Sequence, residues 1–311
     1  AVIGATGAKG GGLARAILED RDGPFSLRAI TRNPASDKAK ALAEAGAEVV
    51  GANLDDTASL ERAFTGAHGA FCLTNFWETF SPEGEIGQAR NMAEAAQAAG
   101  VEHVIWSTLE DTRRWVPVED DRMPTLMERY KVPHFDGKGE ADAVFAELGV
   151  PTTNLLTSFY FDNLITFGMG PQRGEDGKLA LSLPMGDRKM PAIAAEDIGR
   201  AAYAIFQAGS KYIGETVGIA GEHLTGQEMA DVMSDAFGEP VAYNAVPFDV
   251  YRGLGFPGAD DLGNMFQFKH DFEDYFCGAR PVEGTRSLNP GLQTFESWVR
   301  ANKEKIPTEP A

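Results

Sequence analysis

Gly4, Gly7 and Gly10 stand three apart within Ala1-Val2-Ile3-Gly4-Ala5-Thr6-Gly7-Ala8-Lys9-Gly10-Gly11-Gly12. A short apolar run precedes them, and Leu13, Ala14, Ile17 and Leu18 follow at helical spacing. The order is therefore strand, tight turn, helix. A helix N-terminus offers unpaired backbone N–H groups and the positive end of its dipole to an anion, which is the chemistry of a phosphate site. In such a turn Gly4 allows the reversal, Gly7 lets backbone approach a pyrophosphate, and Gly10 lets helix pack on strand. A glycine-rich run alone also fits an ordinary flexible turn, so the next strand has to decide. Leu27-Arg28-Ala29-Ile30-Thr31-Arg32-Asn33-Pro34 reads as that strand, and its end carries Arg32 and no carboxylate. A carboxylate there accepts from a ribose 2′-hydroxyl, whereas an arginine accommodates a 2′-phosphate. Its planar guanidinium binds phosphate through two nitrogens. The bland alternative is a solvated surface arginine. The pattern favours NADP(H) over NAD(H).

The elements that must position these residues alternate regularly. After the second strand come a polar helix over 35–45, a strand at Ala47-Glu48-Val49-Val50-Gly51, and a helix capped by Asp56 or Thr57. Gly69 to Thr74 is a buried strand, followed by a helix from about Glu85 to Ala99. His103 to Ser107 is a further strand, a helix runs from about Gly137 to Leu148, and Thr152 to Leu156 is a sixth strand. Nearly continuous apolar strands alternating with helices predict an α/β fold with a doubly wound parallel sheet. The expected division is a Rossmann-like domain over 1–156, with contributions from about 190–220, and a smaller α/β lobe over most of 157–311. Thr225 and Glu228 form a capping box in that second part, and the tail after Ile306 is expected to fray.

Composition excludes several classes. A chain of 311 residues with 43% hydrophobic content supports a large core. No apolar run approaches the roughly 20 residues of a membrane helix. Two cysteines give no disulfide framework, and the five histidines include no pair at metal-ligand spacing, so no metal is expected. A reducing cytoplasmic compartment is the default, or the nucleus in a eukaryote. The net charge of −18 argues against nucleic acid as a partner and suits a basic regulatory protein.

Beyond these local readings, the Gly4–Gly11 loop, Thr31–Pro34, Thr74-Asn75-Phe76-Trp77-Glu78 and His134-Phe135-Asp136-Gly137-Lys138-Gly139-Glu140 resemble the NmrA-like family. This is an atypical branch of the short-chain dehydrogenase/reductases. The likeness continues through Tyr160–Leu164, Leu181–Pro184 and Leu254–Ala259, and so covers nearly the whole chain. The resemblance implies a Rossmann-like domain holding NADP(H), with Gly4, Thr6, Gly7, Ala8, Lys9, Gly10 and Gly11 at the phosphates. It implies Arg32 at the 2′-phosphate, Asn53, Leu54 and Asp55 at the adenine, and Thr74, Asn75 and Phe76 near the ribose and pyrophosphate. Lys138, Phe159, Tyr160, Phe161 and Asn163 would flank the nicotinamide end. Fungal members bind a zinc-finger transcription factor, which the acidic charge would suit, and a homodimer is open.

Ordinary members of the superfamily use a Tyr proton donor with a Lys four residues on, plus a Ser. None of the seven tyrosines here has such a lysine. His134 precedes Lys138 by four, which on a helix puts both on one face, and Ser107 ends the fifth strand where the Ser is expected. Two readings follow. Either NADP(H) occupancy makes the chain a redox sensor that regulates a partner, with Lys138 holding the ribose. Or His134 replaces Tyr, and the chain is an NADPH-dependent reductase of a small carbonyl, quinone or imine.

Overall fold

The computed structural model describes residues 1–309, and the chain divides into two compact units. The first comprises residues 1–111, 133–157 and 196–217. Its elements run β1 (Val2–Ile3), α1 (Ala8–Glu19), β2 (Arg28–Thr31), α2 (Asp37–Glu44), β3 (Glu48–Gly51), α3 (Thr57–Phe64), β4 (Gly69–Cys72), α4 (Pro82–Ala98), β5 (His103–Thr108), α5 (Pro133–Glu147) and β6 (Thr152–Leu156). With β11 (Thr216–Gly218) at one edge, seven strands lie in the order β11-β6-β5-β4-β1-β2-β3, and the pairings among β1 to β6 are all parallel. This is the doubly wound α/β sheet expected. The strand order reverses between β1 and β4, the position at which such sheets open a crevice for ligands.

Local chemistry accounts for most of the boundaries. The hydroxyls of Ser36 and Ser81 and the carboxylate of Asp56 each accept a backbone N–H at the start of α2, α4 and α3 respectively, and Pro82 opens α4. Every residue of β5 is buried, and Leu60, Phe64, Met92, Trp106 and Phe145 form the core with the small residues of α4. The helix carrying Lys138 begins at Pro133, four residues before the expected Gly137. Gly137 and Gly139 look like breakers but lie inside it, because a Cβ at Gly137 would sit 3.0 Å from Pro82 and one at Gly139 would press into the backbone of Asp111.

The second unit comprises residues 112–132, 158–195 and 218–311. One small sheet joins β7 (Phe159–Tyr160), β10 (Met190–Ile193) and β12 (Glu222–Leu224). Another joins β8 (Gln172–Arg173), β9 (Leu179–Leu183) and β13 (Val241–Ala245). Its helices are α6 (Asn163–Thr166), α8 (Gly226–Phe237), α9 (Phe248–Arg252), α10 (Ala259–Asp271), α11 (Glu273–Gly278), α12 (Val282–Leu288) and α13 (Phe295–Asn302); α7 (Ala195–Gln207) lies almost wholly in the first unit. The Thr225–Glu228 capping box is present at the start of α8. The segment 112–132 is stapled to α10: Asn264 donates to the carbonyls of Pro124 and Lys131, and Gln267 to that of Arg122. The tail does not fray over its described part. Arg173 N–H donates to the Thr308 carbonyl at 2.9 Å, and the Arg173 side chain pairs with Glu309. Pro310 and Ala311 lie outside the described residues. Among the described residues no helix is long and apolar enough to cross a membrane.

In the first unit, α1 and α7 approach through glycines. A Cβ on Gly12 would meet the Glu196 carbonyl oxygen at 2.6 Å, and one on Gly199 would overlap the backbone of Gly12 and Leu13. Gly199→Ala gains helix propensity yet overpacks this contact, and the steric cost of about 1–3 kcal/mol exceeds the gain. A melting midpoint lower by about 2–8 °C is expected. A thermal melt monitored by circular dichroism checks it, and an unchanged midpoint would rule out so close an approach.

Candidate functional site

All six parallel strands point their carboxyl ends to one edge, and the sequence-expected residues of the first unit gather there. The chain leaves β1 through Gly4, whose φ of +66° suits only glycine comfortably, and Gly7 N–H closes the turn on the Gly4 carbonyl at 2.8 Å. Gly10 lies against that turn: a Cβ there would be 2.5 Å from the Gly4 oxygen and 2.7 Å from that of Ile3. The first turn of α1 thus presents Ala8, Lys9, Gly10 and Gly11 directly beyond β1, a cradle with the geometry an anion needs. Lys9 Nζ donates to Ser107 Oγ at 3.1 Å, linking the glycine turn to the end of β5. Burial pushes the Lys9 ammonium down to about 8, against an upward pull from Glu85.

Beyond β2, Arg32 extends from the sheet edge, and both of its terminal nitrogens donate to Glu78, at 2.7 and 2.9 Å. Beyond β3, Asn53, Leu54 and Asp55 form a turn whose atoms are used locally. Asn53 Oδ1 accepts from Asp55 N–H, the Leu54 carbonyl accepts from Asn91, and the Asp55 carboxylate accepts from Gln88. Beyond β4, Thr74 and Phe76 are buried, while Asn75 and Glu78 are exposed.

Lys138 provides the polar centre of this unit. Its side chain is 8% exposed, and Nζ donates to Thr74 Oγ1 at 2.5 Å and to Glu85 Oε1 at 2.8 Å. Thr74 Oγ1 also lies 2.6 Å from Glu85 Oε1. The indole of Trp106 sits beneath, 5.5 Å from the ammonium, and is itself held by Asp142, which also accepts from Thr108. Glu85 Oε2 is buried and has no hydrogen-bond partner. A lone acceptor of that kind is costly and is kept only where something offers it a donor or a charge.

The three expected catalytic residues each have their own surroundings. Ser107 faces Lys9, and Lys138 is clamped by Thr74 and Glu85. His134 lies in the first turn of α5, packed on Trp77, Phe135 and Phe76 with centroids at 4.9, 4.8 and 5.9 Å. Phe159, Tyr160, Phe161 and Asn163 belong to the second unit, where Phe159 and Tyr160 form β7 and Asn163 starts α6. The thiol of Cys72 is pushed up to about 12 by burial, and that of Cys277 to about 11 by burial and then Glu273. Neither is a thiolate near neutral pH. Among the described residues no group of three or more His, Cys, Asp or Glu could hold a metal ion.

Sequence reading missed Glu85, Glu78 and Trp106. Glu85 had a signal: it shares the buried face of α4 with Ala89, Met92 and Ala96, and a carboxylate on an apolar stripe demands a buried cation. Removing one partner of such a pair strands the other. Glu85→Ala is therefore expected to lower unfolding stability by about 3–5 kcal/mol. The Glu85→Leu, Lys138→Met double variant should recover most of that loss. Urea titrations of the two proteins and the wild type measure both effects.

The NmrA-like family model matches residues 1–299. The NmrA-like family domain-containing oxidoreductase FrzB of Cladobotryum sp is 27% identical over 310 residues, covering 91% of this chain and 87% of FrzB. The negative transcriptional regulator NmrA, solved in complex with NADP and separately with NAD, superposes with a TM-score of 0.78 at 23% identity; the NADP complex covers 96% of this chain and 93% of that one. Citrobacter sp. triphenylmethane reductase complexed with NADP(H) gives 0.75 at 20% identity, covering 96% and 98%. With the doubly wound sheet and glycine turn in place, and the family model spanning both units, this chain belongs to the NmrA-like family.

Proposed function

We propose that this chain binds NADP(H) at the carboxyl edge of its seven-stranded sheet and acts as a regulator responding to the NADPH/NADP+ ratio. The observation that carries the cofactor reading is Arg32. It stands immediately after β2 with both terminal nitrogens of its fork on Glu78, while no carboxylate of β2 offers itself to a ribose hydroxyl. The glycine turn fits a pyrophosphate on the same edge, where the close fit of Gly10 leaves no room for a side chain. NmrA, solved with NADP, and triphenylmethane reductase, solved with NADP(H), give this reading independent support.

The regulator reading follows from the state of the would-be acid. His134 is buried among Phe76, Trp77 and Phe135 on the first turn of α5, and Pro133 immediately precedes it. That packing on three aromatic rings supports a structural role for His134 at the start of α5. Both thiols are held protonated by burial, which makes neither a reactive thiolate and is consistent with a redox response through a bound dinucleotide. Its effect on a partner equals its differential affinity for two states of the protein. The second reading is an NADPH-dependent reductase of a small carbonyl, quinone or imine. The buried Lys138–Glu85–Thr74 cluster favours it, since a confined ammonium can hold a ribose or polarise a substrate oxygen. The names of FrzB and triphenylmethane reductase agree with it.

One assay separates the two. NADPH fluorescence is expected to change saturably on mixing with the protein, to be reversed by NADP+ and not by NADH. The 340 nm absorbance should then stay constant when quinones, aldehydes and imines are added. Steady oxidation with any one class makes the chain an enzyme. The affinity should also depend on pH. Lys9 loses its proton near pH 8, and an adjacent phosphate raises that value, so binding above pH 8 takes up a proton. Affinity is expected to fall between pH 8 and 9.5, by at most about tenfold per unit, and to lose this slope in Lys9→Met.

A further inference from the structure

Arg32 and Glu78 form an end-on pair in which one carboxylate takes both terminal nitrogens of the guanidinium, at 2.7 and 2.9 Å. A phosphate presents two oxygens to the same fork in the same way. The carboxylate is placed by its own turn and not by Arg32 alone. Asn75 Nδ2 donates to Glu78 Oε1 at 3.1 Å, and the single 3₁₀ turn from Phe76 to Glu78 is anchored by the buried Phe76 ring. Partial burial, which by itself raises the Glu78 carboxyl, is outweighed by the hydrogen bonds from Arg32 and Asn75 and by the Arg32 charge, so the group stays ionised well below neutral pH.

We propose that Glu78 is a built-in competitor for the 2′-phosphate at Arg32, setting how strongly this site prefers NADP(H) to NAD(H). The proposal rests on the reading of Arg32 as the 2′-phosphate contact. A 2′-phosphate engages the fork only by displacing the carboxylate or by lying beside it, and both cost free energy. A dinucleotide with a bare 2′-hydroxyl needs no such exchange, and a nearby carboxylate is the group that accepts from that hydroxyl in NAD sites. Glu78 therefore narrows the gap between the two cofactors from both sides. The pair is exposed, with Arg32 at 67% and Glu78 at 43%, so the exchange is a modest one. An exposed ion pair contributes up to about 1 kcal/mol, which corresponds to about fivefold in affinity.

Calorimetric titration of the full chain with NADP+ and with NAD+ tests this in four proteins: wild type, Glu78→Gln, Arg32→Ala and the double variant. Both side chains are exposed, so all four are expected to fold. Glu78→Gln should tighten NADP+ by about fivefold with no gain for NAD+. In the Arg32→Ala background the same change should leave NADP+ where it was, because the contested fork is gone. If the wild type prefers NADP+ but Glu78→Gln leaves its affinity unchanged, weakens it, or tightens both cofactors alike, the competitor role fails and the cofactor reading survives. Tightening that persists without Arg32 also overturns the role. A wild type that prefers NAD+ or binds neither dinucleotide overturns the cofactor reading and this inference together.

Discussion

The Lys138 ammonium, almost wholly removed from water, is the constraint around which the first unit is arranged. An uncompensated charge in that position would cost several kcal/mol, so it must be met by Glu85 from α4 and by Thr74 beyond β4. Three separate pieces of chain, α4, α5 and the loop after β4, therefore share one electrostatic centre. The close approach of α5 to its neighbours follows from the same demand. Gly137 and Gly139 flank Lys138: a side chain at Gly139 would push the helix off the backbone of Asp111, and one at Gly137 would crowd Pro82. A helix of low intrinsic propensity is the consequence, held in place by its surroundings.

The same centre links both ends of the sheet edge. Thr74, fixed by Lys138 and Glu85, is followed within four residues by Glu78, which holds Arg32 beyond β2. Between them Phe76 and Trp77 pack on His134 at the start of α5. The loop from Thr74 to Glu78 is thus attached at one end to a buried ion pair and at the other to an exposed one. Any ligand that changes the partner of Arg32 acts on a segment whose other end is rigid.

Much of the first unit was legible because its signals are local. Gly4, Gly7 and Gly10 announce the turn through backbone requirements that depend only on near neighbours, and Asp56 announces the start of α3 through a side chain that accepts from the N–H of Ser59, three residues on; in the second unit the Thr225–Glu228 pair does the same for α8. Buried parallel strands read as apolar runs for the same reason. What escaped was non-local. Nothing near Gly137 in sequence says that Pro82 and Asp111 lie against it, so the start of α5 was placed too late. The segment 112–132 is held by Asn264 and Gln267, more than 130 residues away. The sequence offers Arg32 at the end of β2, but its pairing with Glu78 was not legible, since the two come together only once β2 and β4 flank β1 in the sheet.

Charge then sets the terms on which an anion can enter. The chain carries −18 overall, so its long-range field opposes a dinucleotide that is itself an anion, although salt confines that field to about 8 Å at physiological strength. Attraction has to come from groups at the sheet edge, and two of its three cations are already committed to carboxylates: Arg32 to Glu78 and Lys138 to Glu85. Lys9 is placed differently: its Nζ donates to Ser107 Oγ, and burial pushes its ammonium towards losing the proton against an upward pull from Glu85. On the proposed reading, a phosphate at the glycine turn would favour the charged form of Lys9, while a phosphate at Arg32 would have to displace Glu78 or lie beside it. On that reading, selectivity for a 2′-phosphate would be decided at the Arg32–Glu78 pair, the exposed and more weakly held of the two ion pairs.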